Sequence, residues 1–260
     1  VGAAASREAE MSGHSKWAQI KRKKATTDAR RGKLWTRLVK EITVASRLGG
    51  GDPDHNPRLR AAVQDAKTSN VPAGNIDRAI KRGSGELEGA AYEEITYEGY
   101  APGGGALLIE AITDNRNRTV AELRHLFSRS GGNLGESGCV AWMFQTRGYI
   151  AFERSALGEE ALLELALELE VDDVSTEDAE VLELFTSPED FERVREAIAG
   201  RGLTPVAAEL EKVAASQVEL DSRQAAQAAR LLEAIEDHDD VQDVWANFDL
   251  DTADSLVPAE

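Results

Sequence analysis

From Ser15 to Gly83 the apolar positions recur at helical spacing. Leu34, Leu38, Ile42, Ala45 and Leu48 make one stripe for a core. Arg37, Lys40 and Arg47 fall mostly on the other side, and Glu41 sits at the edge within reach of Arg37 four positions earlier. Breaks at Gly32, at Gly49-Gly50-Gly51-Asp52-Pro53 and at Val71-Pro72 divide the stretch into three or four short helices. Asn56-Pro57 reads as a helix start, with Asn as cap and Pro at the first helical position, and Leu59, Ala62, Val63 and Ala66 form its buried side.

Past Gly83-Ser84-Gly85 the pattern changes to strands. Tyr92 to Tyr100 and Gly105 to Ile112 flank a turn-rich stretch and predict an antiparallel pair. A helix follows from Val120 to Ser130, opened by a capping box of Thr119 and Glu122 and stopped by Gly131-Gly132. Gly138 to Phe144 is expected as a strand, carrying Cys139 as a small buried hydrophobe.

The next elements read as strand 148–152, helix 159–169, strands 173–176 and 180–185, helix 188–199 and strand 204–213. This order, βαββαβ, is that of a ferredoxin-like unit, which closes on itself. One helix (223–235) and one strand (241–248) remain, and they are placed back on the sheet begun at Tyr92. The expected fold is therefore α+β and multidomain. A disordered extension (1–11) precedes a small basic helical bundle (12–83), a discontinuous α/β domain (84–146 with 214–255) and an inserted ferredoxin-like domain (147–213).

The 260 residues suffice for two or three modest cores. Hydrophobic content of 42% and charged content of 30% fit a globular chain better than a disordered or membrane one. No apolar run approaches the roughly 18 residues of a membrane span. A lone cysteine allows no internal disulfide and no CxxC motif, which points to a reducing, cytoplasmic setting. The opening ten residues lack the features of a targeting peptide, and Met11 looks like a natural start.

Charge changes the picture most. The chain carries a net charge of -17, yet residues 12–83 hold 17 Lys and Arg against 6 Asp and Glu, while residues 151–260 hold 7 against 30. A basic block kept inside an acidic chain points to a polyanionic partner. Its candidate contacts are Lys21, Arg22, Lys23, Lys24, Arg30, Arg31 and Lys33. The tail His14, Lys16 and Trp17 joins them, a cation and a stacking aromatic suited to a nucleic-acid backbone and base, unless Trp17 simply anchors the tail. Arg116 and Arg118, before a helix N-terminus, form a candidate anion or partner site, against the plainer reading that they brace Asp114.

Other motifs dissolve on inspection. Gly83 to Gly89 imitates a dinucleotide fingerprint but follows a helix, and its last glycine is one position late. Glu236 to Asp240 lacks the glycine and terminal Glu of a calcium loop and reads as an exposed acidic helix end. The four histidines are scattered. An enzyme would have to rest on Glu94, Glu98 and Glu110 converging in a cleft, with no nucleophile or cofactor specified, so no catalytic residue, metal or cofactor is expected.

At GHSKW (13–17), DARRGK (28–33), GGGDP (49–53), YEEITYEG (92–99), TDNRNRT (113–119) and GGNLG (131–135) the chain resembles the YebC/PmpR family, which includes the mitochondrial translational activator of cytochrome oxidase subunit 1. The likeness runs from Met11 to about residue 250, although Gln19 and Ser130 depart from the usual residues. It implies a helical N-terminal domain, two α/β domains of which one is ferredoxin-like and inserted in the other, and no enzymatic activity. It also implies a DNA-binding regulator of transcription or, alternatively, a factor that contacts ribosomal RNA and eases synthesis of proline-rich stretches. The expected partners are DNA or ribosomal RNA, with the ribosome itself a candidate and no membrane.

Overall fold

A computed structural model describes residues 28–178, 180–248 and 250. Among them, residues 142–218 form one compact unit, and residues 28–141 with 219–250 form another.

The second unit opens with three helices, α1 (Asp28–Gly49), α2 (Pro57–Thr68) and α3 (Ala73–Gly83). Helix α1 runs straight through Gly32, where a break was expected, because packing elsewhere along the helix outweighs the roughly 1 kcal/mol helix penalty of one glycine. Its buried stripe is also shifted. Ile42 and Ala45 lie in the core with Trp35, Leu38 and Val39 against them, whereas Leu34 and Leu48 are exposed. At about 100° per residue, Trp35 lies only about 20° from Ile42 around the helix, but Leu34 lies about 80° away and Leu48 about 120°. Glu41 pairs with Arg58 of α2 rather than with Arg37.

Asn56 explains the glycine-rich loop before α2. Its Oδ1 accepts from the N–H of Leu59 (3.1 Å), while its buried Nδ2 donates to the carbonyls of Ala45 and Gly50 (2.8 Å each). A Cβ at Gly49 would stand 2.6 Å from that amide, so the chain can pass only as glycine. Gly50 adds a positive φ of 89°, which glycine adopts without strain.

Strands β1 (Glu93–Tyr100) and β2 (Ala106–Thr113) pair antiparallel, as their alternation predicted. Helix α4 (Arg116–Ser130) starts four residues before the expected position, since Asn115 takes the cap by accepting from the Arg118 N–H (3.1 Å). Thr119 is left inside the helix and buried. Strand β3 (Asn133–Leu134) pairs with β1. The expected strand at Gly138 to Phe144 is instead a turn followed by a short 3-10 helix, and Cys139 is half-buried in that turn. At the far end of the unit, α7 (Ser222–Glu236) and β8 (Val241–Ala246) return, and β8 pairs with β2, giving the sheet order β3-β1-β2-β8. Leu107, Ile109, Leu123, Phe127, Leu232 and Ile235 form the core between this sheet and helices α4 and α7.

The other unit holds β4 (Phe144–Glu153), α5 (Glu159–Leu169), β5 (Asp173–Ser175), β6 (Val181–Thr186), α6 (Phe191–Gly200) and β7 (Ala207–Ala214). Its antiparallel sheet runs β5-β6-β4-β7, the order of a ferredoxin-like unit. Ile150, Phe152, Leu182 and Leu184 face the helices, where Leu162, Leu165, Val194 and Ile198 cover them. On the opposite face the Tyr149 hydroxyl donates to the buried Glu183 (2.9 Å), and the Arg147 guanidinium lies 5.6 Å from the Phe185 ring centre. The architecture is thus α+β and multidomain, with a helical N-terminal part, a discontinuous α/β sheet and an inserted ferredoxin-like part.

Candidate nucleic-acid interface

The structure divides the basic block. His14, Lys16, Trp17, Lys21, Arg22, Lys23 and Lys24 lie outside the described residues, and Arg30 is described only as backbone of α1. Arg31 is exposed on α1. Lys33 is spent within the fold: its Nζ donates to both Asp237 Oδ1 (3.1 Å) and the Asp237 carbonyl (2.9 Å). Arg37 donates to the carbonyl of Glu236. Lys40 is buried, donating to the carbonyl of Asp239 (2.8 Å) and to Asp240 Oδ1 (2.7 Å).

These contacts share one cause. Helix α7 ends at Glu236, where its last carbonyls point outward and the helix dipole is negative. Lys33, Arg37 and Lys40 fall one turn apart on α1, and the first two meet that end while Lys40 meets the turn after it, at Asp239 and Asp240. The acidic run 236–240, expected as an exposed helix end, is therefore the receptor for the cations of α1.

Asp240 is the centre of this contact, with only 3% of its surface exposed. Oδ2 accepts from Arg118 (2.7 Å), Thr119 (2.7 Å) and Thr113 (3.1 Å), while Oδ1 takes Lys40. Burial pushes the carboxyl upward, but donation from Lys40, Arg118 and Thr119 outweighs it and holds the group well below the usual carboxylate range. Arg118 also pairs with Asp114 (3.0 Å). Of the candidate anion pair, then, Arg118 braces the turn while its side chain stays 42% exposed, and Arg116 is exposed beside it.

Two further anchors were hidden in the sequence. Arg58 forks between Glu41 and Glu94, tying α2 to β1, and both hydrogen bonds raise its guanidinium pKa further. Glu98 is buried and accepts from the N–H groups of Gly138 (2.6 Å), Val140 (2.7 Å) and Ala141 (2.8 Å). Its burial favours protonation, yet the three donors prevail and its pKa is lowered. Glu94 and Glu110 line a cleft of about 450 Å³ with Arg58, but Glu98 is consumed by the turn, so the three carboxylates do not meet. Among the described residues no group of three His, Cys, Asp or Glu is placed to hold a metal ion, and no helix is long and apolar enough to cross a membrane.

What remains for a partner is a different set of cations. Arg47, Arg60, Lys67, Arg78, Lys81 and Arg82 are exposed on the three helices and have no carboxylate partner among the described residues. None of the six was singled out by the runs of like charge, because they are dispersed along the sequence; Arg78 and Arg82 share one groove.

Comparison with known proteins matches residues 15–86 to the TACO1/YebC N-terminal domain and residues 92–248 to the TACO1/YebC second and third domains. The chain belongs to the TACO1/YebC family. A relative from Moorella thermoacetica is 55% identical over 246 residues, covering 94% of this chain and 97% of its own, and one from Syntrophus aciditrophicus is 52% identical over 241 residues, covering 92% and 96%. Both are named probable transcriptional regulatory proteins. A solved structure, that of a conserved hypothetical protein from Aquifex aeolicus, is 50% identical, with a TM-score of 0.81 over 90% of this chain and 97% of that one. The two matched family segments meet between residues 86 and 92, where helix gives way to strand.

Proposed function

We propose that this protein is a non-enzymatic, nucleic-acid-binding regulator of gene expression that acts in the cytoplasm and contacts DNA through its basic N-terminal helical part. The observation that carries this reading is the set of exposed, unpaired cations on α1, α2 and α3 in a chain whose net charge is -17. The names of the relatives support the regulatory role. Lys21, Arg22, Lys23, Lys24, Arg30 and Arg31 extend the contact, with His14, Lys16 and Trp17 as the tail, while Lys33 contributes less because Asp237 holds it. Each phosphate neutralised releases counterions, so binding weakens steeply with salt.

A second reading, a ribosome-associated translation factor contacting ribosomal RNA, is favoured by one observation. Residues 151–260 carry 30 acidic against 7 basic side chains and repel a duplex lying along the whole chain. A local contact to folded RNA inside a larger assembly avoids that repulsion.

The deciding experiment measures co-sedimentation with ribosomes and binding to promoter duplexes across a salt series, for the wild type and for a Lys21, Arg22, Lys23 and Lys24 to Glu variant. Sequence-selective duplex binding near physiological salt without ribosome association eliminates the translation reading. Ribosome association without duplex selectivity eliminates the transcription reading. Unchanged behaviour of the variant in both assays reduces the segment 21–24 to a solvated face.

A further inference from the structure

The six unpaired cations do not all face open solvent. Arg78 and Arg82 border a groove of about 360 Å³ between α1 and α3, whose walls also include Trp35, Lys40, Asn75 and Tyr92. That volume lies within the range of ligand pockets, roughly 300–1,000 Å³.

Both aromatic rings in the groove are half-buried and held in place. The Trp35 indole N–H donates to the Ser69 carbonyl (2.9 Å), and the ring packs against the helical core. Tyr92 has the Lys40 ammonium 5.7 Å from its ring centre. Lys40 itself is neutralised by Asp240, so it shapes the wall without offering a charge to a ligand. The charge comes from the two arginines. Arg78 donates only to the Gly74 carbonyl and the Asn75 side chain of its own helix, and Arg82 lies along Gly89. Four residues apart on α3, they stand about 6 Å apart along the helix axis, so one strand can present a separate phosphate to each.

We propose that this groove receives an unstacked nucleotide of a single-stranded or looped nucleic-acid segment, its base against Trp35 and Tyr92 and its flanking phosphates on Arg78 and Arg82. The proposal rests on the nucleic-acid reading above and sharpens it. A duplex keeps its bases stacked and has no use for ring-lined walls, whereas an open strand gains stacking on aromatics and charge neutralisation together. Because the rings are fixed before binding, little side-chain freedom is lost when the base enters. RNA and DNA strands share this chemistry.

The test uses the full chain with short fluorescent oligouridylate, oligothymidylate and a blunt duplex, titrated by anisotropy at several salt concentrations. Arg78→Gln/Arg82→Gln removes two phosphate contacts without touching an ion pair, and Tyr92→Leu removes one ring; thermal melts verify that each variant folds. Single strands are expected to bind more tightly than the duplex. In the arginine variant the slope of log affinity against log salt falls by about 1.4, from roughly 0.7 per phosphate on a single strand. Tyr92→Leu weakens single-strand binding by about 5- to 150-fold, the worth of one stacked base. A preference for oligouridylate over oligothymidylate identifies RNA as the source, and the reverse identifies DNA; either supports the groove. Wild-type binding that both variants leave unchanged, or that is confined to the duplex, overturns the groove and leaves the broader reading standing. Absence of binding to all three probes overturns the groove, and absence from ribosomes and promoter duplexes as well overturns the broader reading.

Discussion

Replacing Asp240 by alanine is expected to be the most damaging single change in the contact between α1 and the end of α7. The Lys40 side chain is 8% exposed and that of Asp240 4%, with 2.7 Å between the charged atoms. Without the carboxylate, the Lys40 ammonium keeps the carbonyls of Asp239 and Ile112 but loses its counter-charge, and Thr113 and Thr119 lose an acceptor. Removing one member of a buried pair costs about 3–5 kcal/mol. Lys40→Met is milder, about 1–3 kcal/mol, because Asp240 still accepts from Arg118, Thr113 and Thr119. Lys40→Met/Asp240→Leu removes both charges and is expected to cost less than the two single changes combined, by at least about 1 kcal/mol. Urea unfolding followed by circular dichroism gives the three values. Since the chain holds two compact units, hydrogen exchange at the Ile112 amide, which donates to the Asp240 carbonyl (2.8 Å), supplies the local reading. A cost below about 1 kcal/mol for Asp240→Ala, or strict additivity of the two changes, refutes the view that this buried pair holds α1 in place. Acid provides an independent check. The folded pKa of Asp240 lies below its unfolded value near 3.9, so its stabilisation is present above about pH 4 and is lost as pH falls through the folded value. Asp240→Ala therefore flattens the acid limb of the stability curve.

Asn56→Ala removes a helix cap and strands the carbonyls of Ala45 and Gly50, and is expected to lower stability by about 2–4 kcal/mol in chemical unfolding; a loss below about 0.5 kcal/mol contradicts the role given to the glycine loop. Glu98→Gln can keep an acceptor oxygen for the Val140 and Ala141 N–H groups but turns its amide N–H₂ toward the Gly138 N–H, so a loss of about 1–3 kcal/mol at neutral pH is expected. Because the folded pKa of Glu98 is depressed, its contribution vanishes as pH drops through that value, and wild type and variant should converge in acid; a constant difference at all pH values argues against the three-donor explanation. Gly32→Ala meets no atom within 4 Å and should raise stability by about 0.5–1 kcal/mol, measured as an upward shift of the thermal midpoint. A lowered midpoint means that α1 does not continue through residue 32.

The local signals in the sequence were dependable where one interaction acted without competition. Asn56-Pro57 starts a helix because cap and ring constraint lie side by side, and strands β1 and β2 follow their alternation. At Thr119 two candidates competed. A capping box with Glu122 is legible in the sequence, but Asn115 caps four residues earlier, and Thr119 turns its hydroxyl to Asp240 instead. Glu122 pairs with His238 (2.8 Å), a partner 116 positions away. The misplaced strand at residues 138–144 has a similar origin, since three N–H groups there are drawn to the Glu98 carboxylate rather than to a neighbouring strand.

The sequence by itself determined the order of most elements, the ferredoxin-like unit and the basic character of the N-terminal helices, because period, capping and charge act within a few residues of chain. Only the tertiary structure decided which cations are free. Lys33 and Lys40 meet Asp237 and Asp240 across 204 and 200 positions, through the return of α7 and β8 to the sheet, and are neutralised there. Arg78 and Arg82, unremarkable in the sequence, stay unpaired beside Trp35 and Tyr92. A charge run counts ions, whereas a fold brings counter-ions to some of them and aromatic walls to others, and that pairing depends on topology rather than on composition.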